Sequence, residues 1–170
     1  MNIEELLKDK TIKSKEKTEI LAEWLLNKET SINELLSFAS KAKETDKATC
    51  IEAIEHVTKL KPEIANERLL DFITSALTEK TPRIKWESAR IIGNIAHMFP
   101  DKLDTPIKNL IDNTDHSGTV VRWSSAYALG EILKLKTNHN SRLKDIVMEI
   151  VNKEEKNSIK KIYSDAIKKI

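Results

Sequence analysis

Ile84-Lys85-Trp86-Glu87-Ser88-Ala89-Arg90-Ile91-Ile92-Gly93-Asn94-Ile95 and Val121-Arg122-Trp123-Ser124-Ser125-Ala126-Tyr127-Ala128-Leu129-Gly130-Glu131-Ile132 are near-copies, 37 residues apart. Trp falls on Trp, Ser on Ser, Ala on Ala and Gly on Gly. A weaker copy lies 38 residues earlier, where Ala53-Ile54 falls on Ile91-Ile92, and another 38 later, where Ala166-Ile167 falls on Ala128-Leu129. Self-similarity at this period marks a chain of two-helix units, none of which covers its own apolar face without its neighbours.

Working outward from the copies, apolar residues recur at spacings of three and four almost everywhere, and no stretch alternates as a strand would. The spacing predicts nine helices and an all-α fold. Ile20, Leu21, Trp24 and Leu25 mark the first, over 14–27. Ser31, with Glu34 three residues on, reads as a capping box for the second. Asp46 is the expected cap of the third, and Pro62 opens the fourth. Thr81-Pro82 opens the fifth, which Pro100 ends. A short helix follows over 104–112, then a turn at Asp112–Gly118 and the helix that carries the second copy. Ser141 begins the eighth, and Asn157 or Ser158 the last.

Composition narrows the function classes. The 170 residues include only 3 Gly and 4 Pro, too few for the tight turns of a sandwich or for a glycine-rich phosphate loop. The 29 basic and 27 acidic residues nearly cancel, so no global polycationic footprint exists. The excess that remains is local: residues 134–170 hold 10 Lys/Arg against 5 Asp/Glu, with Lys160, Lys161, Lys168 and Lys169 in the final helix. Cys50 stands alone, which excludes an internal disulfide and a multi-cysteine zinc site. The acidic start and the absence of any long apolar run give the expectation of a cytoplasmic protein with no membrane segment.

The second copy, with Asp112 and Asp115 before it, resembles the second helix of the HEAT-repeat family, which reads approximately V-R-x-A-A-x-x-A-L-G-x-L after an Asp-containing turn. Residues 84–95 follow the same pattern with Lys85 in place of the Arg. The resemblance is best over 82–136 and poorest over 1–43. It implies a right-handed α-solenoid of about four HEAT-like hairpins in a single domain. The expected divisions are repeats at 44–81, 82–117 and 118–156, a divergent repeat or cap over 1–43, and a capping helix over 157–170.

Gly within a helix costs about 0.5–1 kcal/mol relative to Ala, so Gly93 and Gly130 need a compensating role. Beside Ser88, Ala89, Ser125 and Ala126 they thin one side of each helix and admit a close neighbour. The resemblance places the variable positions of the second helix on the concave surface. Those positions hold Trp86 and Arg90 in one repeat, and Trp123 and Tyr127 in the next, with Asn94 and Glu131 one turn on. The i, i+4 spacing puts each pair on one helical face, and the 37-residue offset sets the pairs side by side. The expectation is a partner-binding platform of aromatic and guanidinium groups, residue types enriched in binding hot spots. The competing expectation is that Trp86 and Trp123 fill space between helices. Arg122 and Lys85 occupy the family's basic position, and Asp112 and Asp115 are the expected partners of Arg122.

Chemistry is sparse. No G-x-G-x-x-G, Walker loop, G-x-S-x-G or H-E-x-x-H occurs. Glu52, Glu55 and His56 share a helix, and Asp112, Asp115 and His116 a turn, but neither set has the ligand spacing of a catalytic zinc. No catalytic residue, metal, cofactor or small-molecule substrate is expected. The expected function is therefore a non-catalytic scaffold that binds a peptide or protein on its concave face. The alternative is nucleic-acid binding in a concave groove, as in the DNA-alkylation-repeat proteins. Their Trp-Asp context is missing, because Glu87 follows Trp86 and Ser124 follows Trp123. Bilin-lyase accessory proteins carry similar repeats, but no residue here supplies a tetrapyrrole ligand.

Overall fold

Capping side chains and prolines set where the helices begin. The computed structural model describes residues 1–170, in ten α-helices with no strand. They are α1 (Ile3–Lys8), α2 (Ser14–Leu26), α3 (Ile32–Ala39), α4 (Glu44–Leu60), α5 (Glu67–Ala76), α6 (Pro82–Ile95), α7 (Asp104–Asp112), α8 (Thr119–Lys134), α9 (Asn140–Lys153) and α10 (Asn157–Ile167). The capping box of α3 forms as read: the Glu34 N–H donates to Ser31 Oγ at 3.1 Å, and the Ser31 N–H to Glu34 Oε2 at 2.7 Å. None of the ten is long and apolar enough to cross a membrane.

Some boundaries differ from the sequence expectation. Asp46 is not a cap; α4 starts at Glu44 after Lys43, and Asp46 lies in its first turn, 3.7 Å from Lys43 Nζ. Pro62 opens only a single 3-10 turn (Pro62–Ile64), and α5 starts later, where Asn66 Oδ1 accepts the Leu69 N–H at 3.0 Å. The fifth predicted helix ends at Ile95 rather than at Pro100; a 3-10 turn (Ala96–Met98) follows it, and a second (Pro100–Lys102) begins at the proline. Helix α1, six residues opened by a second capping box, is too short to show a periodicity.

The even-numbered helices pack in chain order, α2 on α4, α4 on α6, α6 on α8 and α8 on α10. In a second row α3, α5 and α7 follow one another, each also packed on the even helix after it. Helix α9 lies against α8 and α10, and α1 against α2. One continuous apolar core runs from Leu6 to Ala166. This is an α-solenoid of HEAT or armadillo type, with five hairpins where the sequence suggested about four. The pairs are α1–α2, α3–α4, α5–α6, α7–α8 and α9–α10, so the sequence divisions at 44, 82 and 118 fall between the two helices of a pair. The copies that mark the period lie in the second helix of each pair, which draws the apparent boundary there.

The two helical glycines differ in what they admit. A Cβ on Gly93 would lie 2.5 Å from Tyr127 Cε1, so Gly93 is the space that the Tyr127 ring occupies. A Cβ on Gly130 would lie 3.3 Å from the Ala166 Cβ, at the α8–α10 contact.

A ladder of cations ties the repeats together. Lys47, Lys85 and Arg122 stand at equivalent positions, 38 and 37 residues apart. Lys47 pairs with Glu79 and lies over the Phe72 ring. Lys85 Nζ donates to Leu77 O at 3.0 Å and to Asn113 Oδ1 at 2.8 Å. Arg122 donates through Nε to Glu154 Oε2 at 2.9 Å, through Nη2 to Oε1 at 3.3 Å, and through Nη1 to His116 O at 3.0 Å. Its acidic partner is thus Glu154 in the next turn, not Asp112 or Asp115; Lys108 holds Asp112 at 3.1 Å.

Candidate partner-binding groove

Helix α8 turns Val121, Ser124, Ser125, Ala128 and Leu129 inward, which leaves Trp123 and Tyr127 on its open side. Their rings stack, with centroids 6.2 Å apart and planes 13° from parallel. Tyr127 is fixed at both ends. Its ring fills the space over Gly93, and its hydroxyl donates to Asn94 Oδ1 at 2.7 Å. Asn94 Nδ2 donates in turn to Thr58 Oγ1 at 3.2 Å, which completes a chain of hydrogen bonds from α8 through α6 to α4. Burial pushes the Tyr127 phenol up to about 12, and the nearby Glu131 and Glu55 carboxylates reinforce it, so the hydroxyl stays a donor.

Arg90 reaches across from α6, with its guanidinium carbon 5.4 Å from the Trp123 ring centroid, in cation–π geometry. Together these side chains bound a groove of about 620 Å³. Arg90 and Asn94 come from α6, Trp123 and Tyr127 from α8, and Glu55, His56, Lys59 and Leu60 from α4.

Four of the six residues singled out in the sequence therefore meet: Arg90, Asn94, Trp123 and Tyr127. Trp86 and Glu131 do not line the groove. The Trp86 indole is half-buried and donates Nε1–H to Glu87 Oε1 at 2.9 Å. Glu131 pairs with Lys134 on its own helix. The α4 side, His56, Lys59 and Leu60, was not chosen from sequence. The signal was present, since His56 lies 38 residues before Asn94 and the period places it one repeat back on the same face.

The two tryptophans of the copies part company: Trp123 lines the groove, whereas Trp86 lies outside it with its N–H on Glu87. Trp24, in α2, packs against the core. Trp123 keeps 38% of its surface exposed. Beside Arg90, Glu87 is buried, with Oε2 lacking a hydrogen-bond partner and Arg90 Nη1 at 4.0 Å from Oε1. Burial pushes the Glu87 carboxyl above the ordinary glutamate range, against the Trp86 N–H and the Arg90 charge. Cys50 lies elsewhere, in the core, its thiol pushed by burial up to about 12. No three His, Cys, Asp or Glu side chains come together as a metal-ligand set, so neither acidic–histidine group from the sequence is gathered.

No protein-family model matches the sequence, and no curated protein matches it. Solved structures match the fold. The complex of CpcE and CpcF of phycocyanin lyase from Nostoc sp. superposes with a TM-score of 0.66 at 16% identity, over 89% of this chain and 86% of that one. A designed armadillo repeat protein matches with a TM-score of 0.64 at 12% identity, over 79% of this chain and 62% of its own. Another, in complex with the peptide (KR)4, matches with a TM-score of 0.60 at 13% identity, over 98% and 97%. At these identities the likeness is one of fold.

Proposed function

We propose that the chain is a non-catalytic interaction module that docks a segment of a protein partner across α4, α6 and α8. Trp123 is the anchor, Tyr127 backs it, and Arg90 orients the incoming chain. Asn94 positions Tyr127 rather than meeting the partner. The observation that carries this reading is the exposed Trp123 indole, stacked on a half-buried Tyr127 and with the Arg90 guanidinium over it. Such an assembly is rigid before binding, so little side-chain entropy remains to be lost. Burying one indole contributes several kcal/mol, at about 25 cal/mol per Å² over the 150–250 Å² an aromatic covers. A few such contacts reach micromolar affinity after association costs. One solved structure of this fold is a designed armadillo protein holding a peptide, which supports a peptide-sized occupant here.

The test is affinity capture with the wild-type chain beside Trp123→Ala and Trp86→Ala, each confirmed helical by circular dichroism. Partners lost with Trp123→Ala and kept with Trp86→Ala support the groove. Partners kept equally by both variants send the interaction to another surface. Binding to duplex DNA at low salt that disappears on salt addition would favour the nucleic-acid alternative instead.

A further inference from the structure

We infer that the groove takes an acidic–apolar segment, whose carboxylate meets Arg90 and Lys59 while a neighbouring apolar side chain packs on Leu60 and Trp123. This rests on the docking reading above and adds the chemistry of the occupant.

Charge and exposure separate in the groove. Its one lining acid, Glu55, is buried at 8% exposure, whereas His56 and Lys59 are exposed and the Arg90 side chain keeps 32%. The groups that a partner meets first are therefore the Lys59 and Arg90 cations, with the His56 imidazole beside them. They are also unspent. Neither His56 nor Lys59 forms an ion pair or hydrogen bond within the chain, and Arg90 has only the 4.0 Å approach to Glu87. Arg90 Nε is buried without any hydrogen-bond partner. A guanidinium presents five donors in a planar fork that matches a carboxylate, and here the Trp123 ring beside it restricts its orientation.

Two exposed apolar groups stand beside the cations, Leu60 at 75% and Trp123 at 38% exposure. Cations interleaved with an exposed leucine and an indole complement a segment that alternates acidic and apolar side chains. The line continues past Trp123, because the position one period on, in α10, is Lys161.

The experiment uses the full chain and three labelled twelve-residue peptides read by fluorescence anisotropy. One alternates glutamate with leucine, one replaces each glutamate by glutamine, and one replaces it by lysine. The glutamate peptide is expected to bind about tenfold tighter than the glutamine peptide, and the lysine peptide weakest. Arg90→Gln should remove most of that tenfold preference while barely moving the glutamine peptide. Lys59→Gln, at an exposed site that does not threaten folding, should lower it in part, and added salt should erode it. Trp123→Ala should weaken all three. A lysine peptide that binds as tightly as the glutamate one overturns the acidic assignment, as does an Arg90→Gln effect that is equal on glutamate and glutamine peptides. Either result leaves the groove standing if Trp123→Ala still abolishes binding. No binding by any peptide, or binding indifferent to Trp123→Ala, removes the docking reading together with the inference.

Discussion

The ladder and the groove both hold lysine and arginine and use them in opposite ways. Lys47, Lys85 and Arg122 are each satisfied by a neighbouring turn, and Arg122 meets a carboxylate that is only 3% exposed. On the open face of the same helices Lys59 has no such partner, and Arg90 has only the 4.0 Å approach to Glu87, with its Nε buried and unbonded. A cation satisfied by its own chain fixes geometry, and a cation left unsatisfied beside apolar surface has binding capacity to spare. Stability and binding should therefore separate cleanly between the two sets.

The largest expected effect is on the ladder. Glu154→Ala leaves Arg122 without its carboxylate, and losing a charged hydrogen-bonding partner at this part-buried site costs about 1.5–3 kcal/mol. The loss reads as a lower denaturant midpoint, with peptide affinity per folded molecule unchanged. The pH dependence has a definite sign. Burial opposes the Glu154 charge, but the Arg122 side chain and the Lys156 and Glu155 N–H groups outweigh it and hold the carboxyl below its ordinary value of 4.5. Its contribution is therefore fully present above that value and is lost as pH falls through the lowered one. Glu154→Ala should flatten this acid limb. A variant that is unstable and also fails to bind would show that the two sets are coupled.

Next in size is Gly93→Ala. Ala favours a helix by about 1 kcal/mol over Gly, but the new methyl would sit 2.5 Å from the Tyr127 ring. Tyr127 cannot withdraw freely, because Asn94 holds its hydroxyl and Trp123 its face. A net loss of about 1–3 kcal/mol is expected, together with weakened peptide binding as the stack shifts. Gly130→Ala meets the Ala166 methyl at 3.3 Å and Ile162 Cγ2 at 3.7 Å, milder contacts than at Gly93, and should be close to neutral in both respects. Thermal melts and anisotropy on the pair of variants check it.

The fold was legible in the sequence because it depends on local signals: three-and-four spacing, the Ser31–Glu34 box and a pair of near-copies. The site was legible only in part, because the copies diverge where tertiary neighbours decide. Trp86 and Trp123 occupy the same position in the repeat. Four residues after Trp123 stands Tyr127, which gives it a ring to stack on; four after Trp86 stands Arg90. The residue following Trp86 is Glu87, whose carboxylate takes the indole N–H, whereas Ser124 follows Trp123 and is buried. Nothing in the pattern fixes which carboxylate Arg122 finds, since Glu154 lies 32 residues away, brought close only by the stacking of α9–α10 on α8.

The smallest expected effect is the sharpest test of the contrast, because it changes one atom type beside Arg90. Glu87 Oε1 accepts the Trp86 indole and lies 4.0 Å from Arg90, while Oε2 is buried without a partner. Desolvation raises the carboxyl, so the charged form is the disfavoured one in the folded chain. A raised carboxyl gives stability below the unfolded value of 4.5 and loses it as pH rises through the folded value. Glu87→Gln keeps an acceptor for the indole and removes that loss, so it should melt about 1–3 °C higher at neutral pH and match wild type in acid. It also takes away the one carboxylate that pairs with Arg90. If the groove's cation is held for an acidic partner, the same variant should bind the glutamate peptide more tightly. If Glu87 instead orients Arg90 for that partner, affinity should fall while stability still rises, and the free-cation account of the groove would need to include its own buried acid.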